Sequence, residues 1–409
     1  MLTLDWPSKD AYLARLFASH DARIDVDVLN LNEQVVGTAR FLDGQIDLQD
    51  ATNLVRRTAS LTVSDPAGAL DFSAASTWSG SSVWVDRLVR VRHTIQVETL
   101  DVTAVCFVGP PTQLSRSGAE VSLTCSDKAA LAMRGSAPFT VKQGANAVDA
   151  IRLLLASCTG EFHFRFPTSP RRLSADYSVG WDDASAPMVV AARIAVVELG
   201  MRLTYASDGY ALLRVVPQGS SLTIPGATEQ ASSTVDFTTL NNYVRVSGKA
   251  TTKTSGKVTT KTQPLAIAQV APASSISPAS LARRGVPRYL PLVISDDSYT
   301  KTAQVSDRAD TELASSDRLE ASTQFSCVPF FHADSDDVVT VQVDGAYNAV
   351  RLTTGSIPLG TGGDMSIGTT RIVSRQPRHK SRVEVLRWRQ YKTGPKKHRK
   401  VHWKRLPNA

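Results

Sequence analysis

The chain has 409 residues, is 42% hydrophobic and 21% charged, and carries a formal net charge of +8 with four cysteines. These are ordinary globular values, which exclude a low-complexity or collagen-like chain, and the length suffices for roughly two to four domains with cores of their own. No run of about 18 apolar residues occurs, so no membrane insertion is expected; the longest candidate, 188–201, is interrupted by Arg193 and Glu198. The N-terminal MLTLDWPSKDAYLARLF lacks a basic start followed by an apolar run and does not read as a secretory signal. Cys106, Cys125, Cys158 and Cys327 form no CxxC pair. Cys106 and Cys125 read as buried thiols of a protein made in a reducing cytoplasm. The charge is uneven: residues 378–409 hold 12 Lys or Arg against one acid, Glu384, a net of +11, and the remainder holds 34 basic and 37 acidic residues, a net of −3.

In chain order, a short amphipathic helix is expected after Pro7, with Tyr12, Leu13, Leu16 and Phe17 on one side. Residues 24–36 alternate and reach a turn at Gly37. From Phe41 to Pro66, FLDGQIDLQDATNLVRRTASLTVSDP reads as two strands, with a tight turn at Asp43-Gly44. Thr58, Ser60, Thr62 and Ser64 alternate against Arg57, Ala59, Leu61 and Val63, a period of two that gives one buried and one wet face. The Arg56-Arg57 pair opens this strand. Strands at 82–97 and 102–108, then a hairpin of 112–115 and 121–125 turning at Ser117-Gly118, and a short helix at 127–133 complete a unit of barrel or sandwich type.

The pattern then changes to α/β. A helix is expected at 145–157, capped by Asn146 and stopped at Thr159-Gly160, and a second at 181–199 with Pro187 in its first turn and Gly200 as a left-handed stop. Strands at 201–206 and 210–216 follow. β alternation returns at Val235. A Lys/Thr hairpin, 249–262, turns at Ser255-Gly256, and a Pro/Ser/Ala-rich loop covers 263–287. Strands at 289–295, 324–329, 338–343 and 349–353 and a helix at 307–320 come next. Strands at 371–374 and 382–391 fit the second β unit. The last 18 residues, Lys392–Ala409, hold seven Lys or Arg and no acid, a composition that disfavours an autonomous fold.

This order of elements, from the 41–66 ribbon through the α/β insertion to 236–248 and 289–343, resembles the bacteriophage tail hub proteins, also called minor tail proteins. The resemblance covers roughly residues 8 to 376. It implies a mainly β fold with an α/β insertion: a first tube-type β domain at 1–137, an α/β domain at 138–230, a second tube-type β domain at 231–376, and a basic C-terminal extension at 377–409. It implies a structural hub of the tail tip and not an enzyme: a homotrimer whose six β domains form a ring on the tail tube and pass DNA during ejection. The implied partners are distal tail and tail tube ring proteins, the tape measure protein C-terminus and other tail-tip proteins, in the virion after assembly in the host cytoplasm. A cell-wall hydrolase or glycan-binding tail-tip protein is the alternative.

The chemistry motifs are few. No phosphate loop, dinucleotide loop, HExxH or GxSxG occurs, and no cofactor or metal is expected. His163, between Phe162 and Phe164, reads as a strand residue facing solvent or a polar contact. Asp334, Asp336 and Asp337 are the densest acids, but the spacing lacks the glycine and glutamate of a calcium loop, so a solvated turn is expected. Asp182-Asp183 sit ahead of a helix, where the macrodipole explains them. Lys249, Lys253, Lys257 and Lys261 recur on the hairpin, either as solvated anti-aggregation residues or as contacts for a neighbouring subunit or channel. In the C-terminal segment Arg387, Trp388, Arg389, Lys392, Lys396, Lys397, Arg399, Lys400, Trp403, Lys404 and Arg405 interleave cations with aromatics. That pattern suits a protein partner, transient DNA contact or a host-surface polyanion.

Overall fold

The structure is a computed structural model that describes residues 22–50, 53–64, 87–97, 100–215, 223–224, 228–235, 240–255, 258–316, 318–331, 334–343, 346–360, 363–375, 382–393 and 400–405. The helix expected after Pro7 lies outside these residues. The first strands are β1 (Ala22–Asn30), β2 (Val35–Leu48), β3 (Arg57–Ser64), β4 (Arg87–Val97), β5 (Leu100–Gly109), β6 (Pro111–Ser117) and β7 (Glu120–Ser126). Next come β8 (Phe139–Val141), helix α1 (Ala147–Thr159), β9 (Phe164–Arg165), β10 (Tyr177–Val179), helix α2 (Pro187–Ile194), β11 (Arg202–Tyr205) and β12 (Ala211–Arg214). Then follow β13 (Thr223–Ile224), β14 (Thr228–Val235), β15 (Tyr243–Ser247), β16 (Thr251–Ser255), β17 (Val258–Gln269), β18 (Pro291–Ser295) and helix α3 (Thr302–Ser316). The last are β19 (Arg318–Cys327), β20 (Val338–Val343), β21 (Ala346–Pro358), β22 (Met365–Arg375), β23 (Arg382–Thr393) and β24 (Lys400–Arg405). The protein is mainly β.

Two compact units emerge: Met1–Thr234 with Ser322–Arg371, and Val235–Ala321 with Ile372–Ala409. The stretch 231–376, expected as one tube-type domain, therefore contributes to both. In the first unit, 13 strands form one sheet with the path β14-β19-β22-β21-β2-β1-β4-β5. Strand β2 is the junction. Its start pairs with β1 through Val26↔Ala39 and Val28↔Gly37, and its end pairs with both β3 and β21 through Ile46↔Ala59 and Ile46↔Ile357. Ala59, Leu61 and Val63 continue the rows onto Cys125, Leu123 and Val121 of β7. One hydrophobic core joins these residues to Val339, Val341, Val350, Leu352, Met365 and Ile367 of β20–β22. Each such buried aliphatic side chain adds about 1.5–3 kcal/mol, which binds the late segment to the early strands. Cys106 and Cys125 are buried as expected, and burial pushes both thiols up to about 12.

The local expectations fail at two turns. The chain reverses at 31–34 and not at Gly37, because the Asn30 side chain accepts from the backbone N–H of Asn32 and Gln34, both at 3.0 Å, while Glu33 takes a positive φ of 61°. Asp43-Gly44 is no turn. It lies inside β2 beside a bulge, and a Cβ at Gly44 would meet the Ser60 carbonyl oxygen at 2.6 Å. Glycine is there for close strand approach.

The α/β part has its own core of Ile151, Leu154, Leu155, Met188, Ala191, Ile194, Leu203 and Leu213 among others, against which Leu54 and Val55 pack. The caps fall where the sequence places them: Asn146 Oδ1 accepts from Val148 and Asp149, and Gly160 ends α1 at a φ of 75°. Beyond α2 the helix widens into a π turn, Ala195–Leu199, and stops at Gly200 with a φ of 66°. Glu198 is thereby buried, where its Oε1 accepts from Ser174 N at 3.0 Å, Ser174 Oγ at 2.6 Å and Tyr177 OH at 2.8 Å.

In the second unit the sheet path is β18-β15-β17-β23-β24, with β16 on β17. Strand β15 is antiparallel to β17 and parallel to β18. Helix α3 begins five residues before the expected start at Asp307, because Gln304 Oε1 accepts from Thr300 N and Lys301 N, both at 3.0 Å, and caps it there. The first seven residues of the expected Pro/Ser/Ala loop, 263–269, are strand, since β17 runs to Gln269.

Candidate functional sites

The expected solvated turn at Asp334–Asp337 is a correction: Ser335, Asp336 and Asp337 are 2%, 5% and 4% exposed. They are buried because four arginines from three other stretches of the first unit meet them. Arg57, the first residue of β3, sits on the buried side that its alternation gives it, with a side chain 2% exposed. Its guanidinium donates to Asp334 Oδ1 at 2.6 Å and to the carbonyls of Cys106 at 2.9 Å and Phe331 at 3.2 Å. Arg56 Nη1 reaches Asp336 Oδ2 at 3.4 Å, and Arg202 of β11 binds the same oxygen. Arg214 of β12 donates to Asp337 Oδ1 and to the Ser335 carbonyl, both at 2.8 Å. Asp336 turns the segment with a φ of 76°.

A guanidinium stays charged in proteins, so burying it demands carboxylates. Burial by itself raises the Asp334 carboxyl, but the Arg57 and Arg214 charges outweigh that and hold it well below the ordinary range. Burial lowers the Arg56 guanidinium against the pull of Asp336. Asp127 supports the knot from below: its Oδ2 accepts from the backbone N–H of Arg56 at 2.7 Å and Arg57 at 3.0 Å. Burial pushes Asp127 up to about 6 despite these bonds. The knot ties the sheet, the α/β part and the 334–337 segment together.

A second cluster lies nearby in the same unit. The Lys128 ammonium, 4% exposed, donates to Glu33 Oε1 at 2.5 Å and contacts Glu161 Oε2 at 2.8 Å. His163 Nδ1 stands 3.1 Å from Glu33 Oε2, the polar contact expected of it. Glu33, Glu161 and His163 have the residue types and closeness of metal ligands. The ammonium already takes the place of a cation between the two carboxylates, and Tyr205 and Phe162 flank it at 5.8 and 5.9 Å. The pair Asp182-Asp183 is a capping device: Asp182 Oδ1 accepts from Ser185 N at 2.8 Å and Asp183 Oδ1 from Gly135 N at 3.3 Å.

The basic residues singled out in the sequence converge in the second unit. The Lys/Thr hairpin forms as expected, with Thr252↔Lys261 and Lys253↔Thr260 in register; Lys249 and Lys253 are exposed, and Lys257 lies outside the described residues. In the C-terminal segment β23 falls on the strand expected at 382–391, and the last 18 residues differ from expectation, because Lys400–Arg405 form β24 beside it. Strand β23 carries Arg387, Trp388, Arg389 and Lys392 and pairs with β17; β24 carries Lys400, Trp403, Lys404 and Arg405 and pairs with β23. Pairing with β17 supplies the hydrogen bonds that the segment lacks alone. Lys396, Lys397 and Arg399 lie outside the described residues. Sequence reading missed the Arg–Asp knot and the Lys128 cluster; the single local sign was Arg57 falling in phase with Ala59, Leu61 and Val63.

No family model matches the chain, and no curated protein matches it in sequence. Among solved structures, the tail protein from Neisseria meningitidis MC58 matches with a TM-score of 0.52 at 13% identity, over 85% of this chain and 96% of that one. The 43 kDa tail protein of prophage MuSo2 from Shewanella oneidensis matches with a TM-score of 0.49 at 10% identity, over 85% and 98%. The prophage tail protein gp18 from Listeria monocytogenes EGD-e matches with 0.47 at 10% identity, over 86% and 95%. The chain thus shares its fold with the Neisseria tail protein, a fold of the kind that the order of elements in its sequence led us to expect.

Proposed function

We propose that the chain is a structural protein of a bacteriophage tail, a hub at the tail tip and not an enzyme. The observation that carries this reading is the likeness to the Neisseria tail protein, which runs over 85% of the chain. Three copies would close a ring on the tail tube, each giving two tube-type β regions, with the α/β part inserted in the first. Unpaired edge strands of the β regions would join neighbouring copies, which a ring uses and a monomer must shield. The ring would hold the tape measure protein C-terminus, adjoin distal tail and other tail-tip proteins, and pass DNA at ejection. Its place would be the virion, after assembly in the host cytoplasm. Among the described residues no helix is long and apolar enough to cross a membrane.

Light scattering on the purified chain, joined with labelling of intact virions, tests this. The expected mass is three times the 44.1 kDa of one chain, with label at the tail tip. A stable monomer absent from virions would overturn it.

A further inference from the structure

Strand β18 ends the sheet of the second unit, and among the described residues it pairs with β15 alone, in parallel from Tyr243↔Pro291 to Ser247↔Ser295. Its sequence, PLVIS, is apolar but for Ser295 and carries no charge. Helix α3 packs on β15 and β17. Leu292 and Ile294 stay half-buried, and Pro291, Val293 and Ser295 are exposed. The Leu290 carbonyl accepts from Asn242 N at 3.1 Å, and Asp296 N donates to the Ser247 carbonyl at 3.0 Å, so the even-numbered peptide groups turn towards β15. Alternation then aims the N–H and C=O of Val293 and Ser295, and the C=O of Pro291, away from the sheet. Edge strands are commonly guarded by a charge, a bulge or a proline. Here Pro291 guards the start of β18, and Val293–Ser295 carry no guard.

The approach to this edge is fixed and basic. The buried Asn242 donates from Nδ2 to the Arg288 carbonyl at 3.0 Å and accepts at Oδ1 from Leu290 N at 2.8 Å. Upstream, Arg283 and Val286 exchange backbone hydrogen bonds, both 3.1 Å, around Arg284 and Gly285, whose φ of 52° and 78° make a tight reverse turn. Arg283, Arg284 and Arg288 are exposed, and Val286, Tyr289 and Val293 are 68%, 52% and 63% exposed. Tyr289 meets Tyr243 edge-on, with 5.4 Å between ring centres. Exposed Arg245 stands opposite Val293 in the ladder and on the same face. From Pro278 to Ser295 the chain holds three arginines and no acid; Asp296 and Asp297 follow the end of the strand.

We propose that the free edge of β18 takes up an extended acidic segment of another protein as an added strand. The outward backbone groups of Val293 and Ser295 supply the ladder bonds, Val293 and Tyr289 the apolar contact, and Arg245, Arg284 and Arg288 the preference for carboxylates. A nucleic acid has no peptide edge to lay against these groups. Two β18 strands meeting about a two-fold axis would not build the ring of three proposed above. The edge is a property of the second unit and does not depend on a place in a tail.

The test uses the full chain and a labelled synthetic peptide of about ten residues in which glutamate and valine alternate, the side-chain period of a strand. Anisotropy is expected to show binding that weakens between about 50 and 200 mM salt. Val293→Pro removes an outward N–H and leaves the bonds to β15, and is expected to bind the peptide about tenfold more weakly. Arg284→Gln with Arg288→Gln is expected to lose about tenfold as well, and with it most of the salt dependence. Unchanged binding by Val293→Pro would overturn the edge. A peptide with lysine in place of glutamate that binds equally well would overturn the acidic partner, and so would a DNA duplex that displaces the peptide at equal charge. No binding at the lowest salt overturns the proposal outright. If Val293→Pro dissociates the oligomer of the chain itself, the edge belongs to a neighbouring copy; that too overturns the proposal and leaves the tail reading standing. Should a variant not fold, amide exchange on the native chain decides: saturating peptide is expected to slow the Val293 and Ser295 amides, and unchanged exchange at both overturns the assignment.

Discussion

Arg57 and Asp334 are 277 positions apart and meet at 2.6 Å inside the first unit. Neither is tolerable there alone. Asp334→Ala removes the carboxylate that a guanidinium 2% exposed meets at 2.6 Å, and breaking a buried pair from one side costs about 3–5 kcal/mol. Urea unfolding should show that loss for Asp334→Ala, and Arg57→Met paired with Asp334→Leu should recover much of it. A single variant as stable as the parent would contradict the buried pair. The acids of the knot also set opposing pH dependences. Asp334 is held low when folded, so its stabilisation is complete above about 4, the unfolded carboxyl value, and is lost as pH falls below it. Asp127 is raised to about 6. Between about 4 and 6 the folded state keeps a proton that the unfolded state has released, so stability falls as pH rises through that window. Asp127→Asn should remove the decline between those limits, as read from urea midpoints; an unchanged decline would assign it to another group.

At the scale of elements, strand β2 and the π turn after α2 show how single residues fix a segment. Gly44→Ala should force β2 away from β3, since its Cβ would lie 2.6 Å from a carbonyl oxygen that belongs to the ladder. A cost of about 1–3 kcal/mol is expected, as for overpacking, and thermal unfolding would reveal it. The π turn carries Glu198 into the interior against three donors. Glu198→Ala removes the acceptor of all three, and each unsatisfied buried donor costs about 1–3 kcal/mol. The variant should loosen 173–177 first, seen as faster amide exchange there than in α1. Equal exchange in both would show that the carboxylate does not hold that segment. The caps of α1 were legible because they depend on neighbours within four residues. The Asp43-Gly44 dipeptide carries a turn signal just as strong, yet it is overruled, because the reason for its glycine is a strand 16 residues away.

For the whole molecule, the decisive fact is that residues 322–371 complete a core begun at Val26. A chain ending at Thr234 lacks Val339, Val341, Val350, Leu352, Met365 and Ile367 from that core. It should expose apolar surface, bind ANS and lose cooperative unfolding, whereas the full chain should not. A cooperative, dye-silent fragment would show that the early strands suffice. Pairings of such long sequence separation also make folding slow.

By itself the sequence determined the mainly β character, the helices of the α/β stretch with their caps, the buried cysteines and the concentration of cations at the C-terminal end. All of these follow from period, turn chemistry and composition over short windows, where the physics is local. Only the tertiary structure decided that Ser335–Asp337 is buried, that Lys128 bridges Glu33 and Glu161, and that the strand expected at 382–391 pairs with β17. In each case the deciding energy is the burial of a charge or a hydrogen-bonding edge. Its sign depends on a partner hundreds of residues away along the chain, or at least dozens, and no window of sequence contains both.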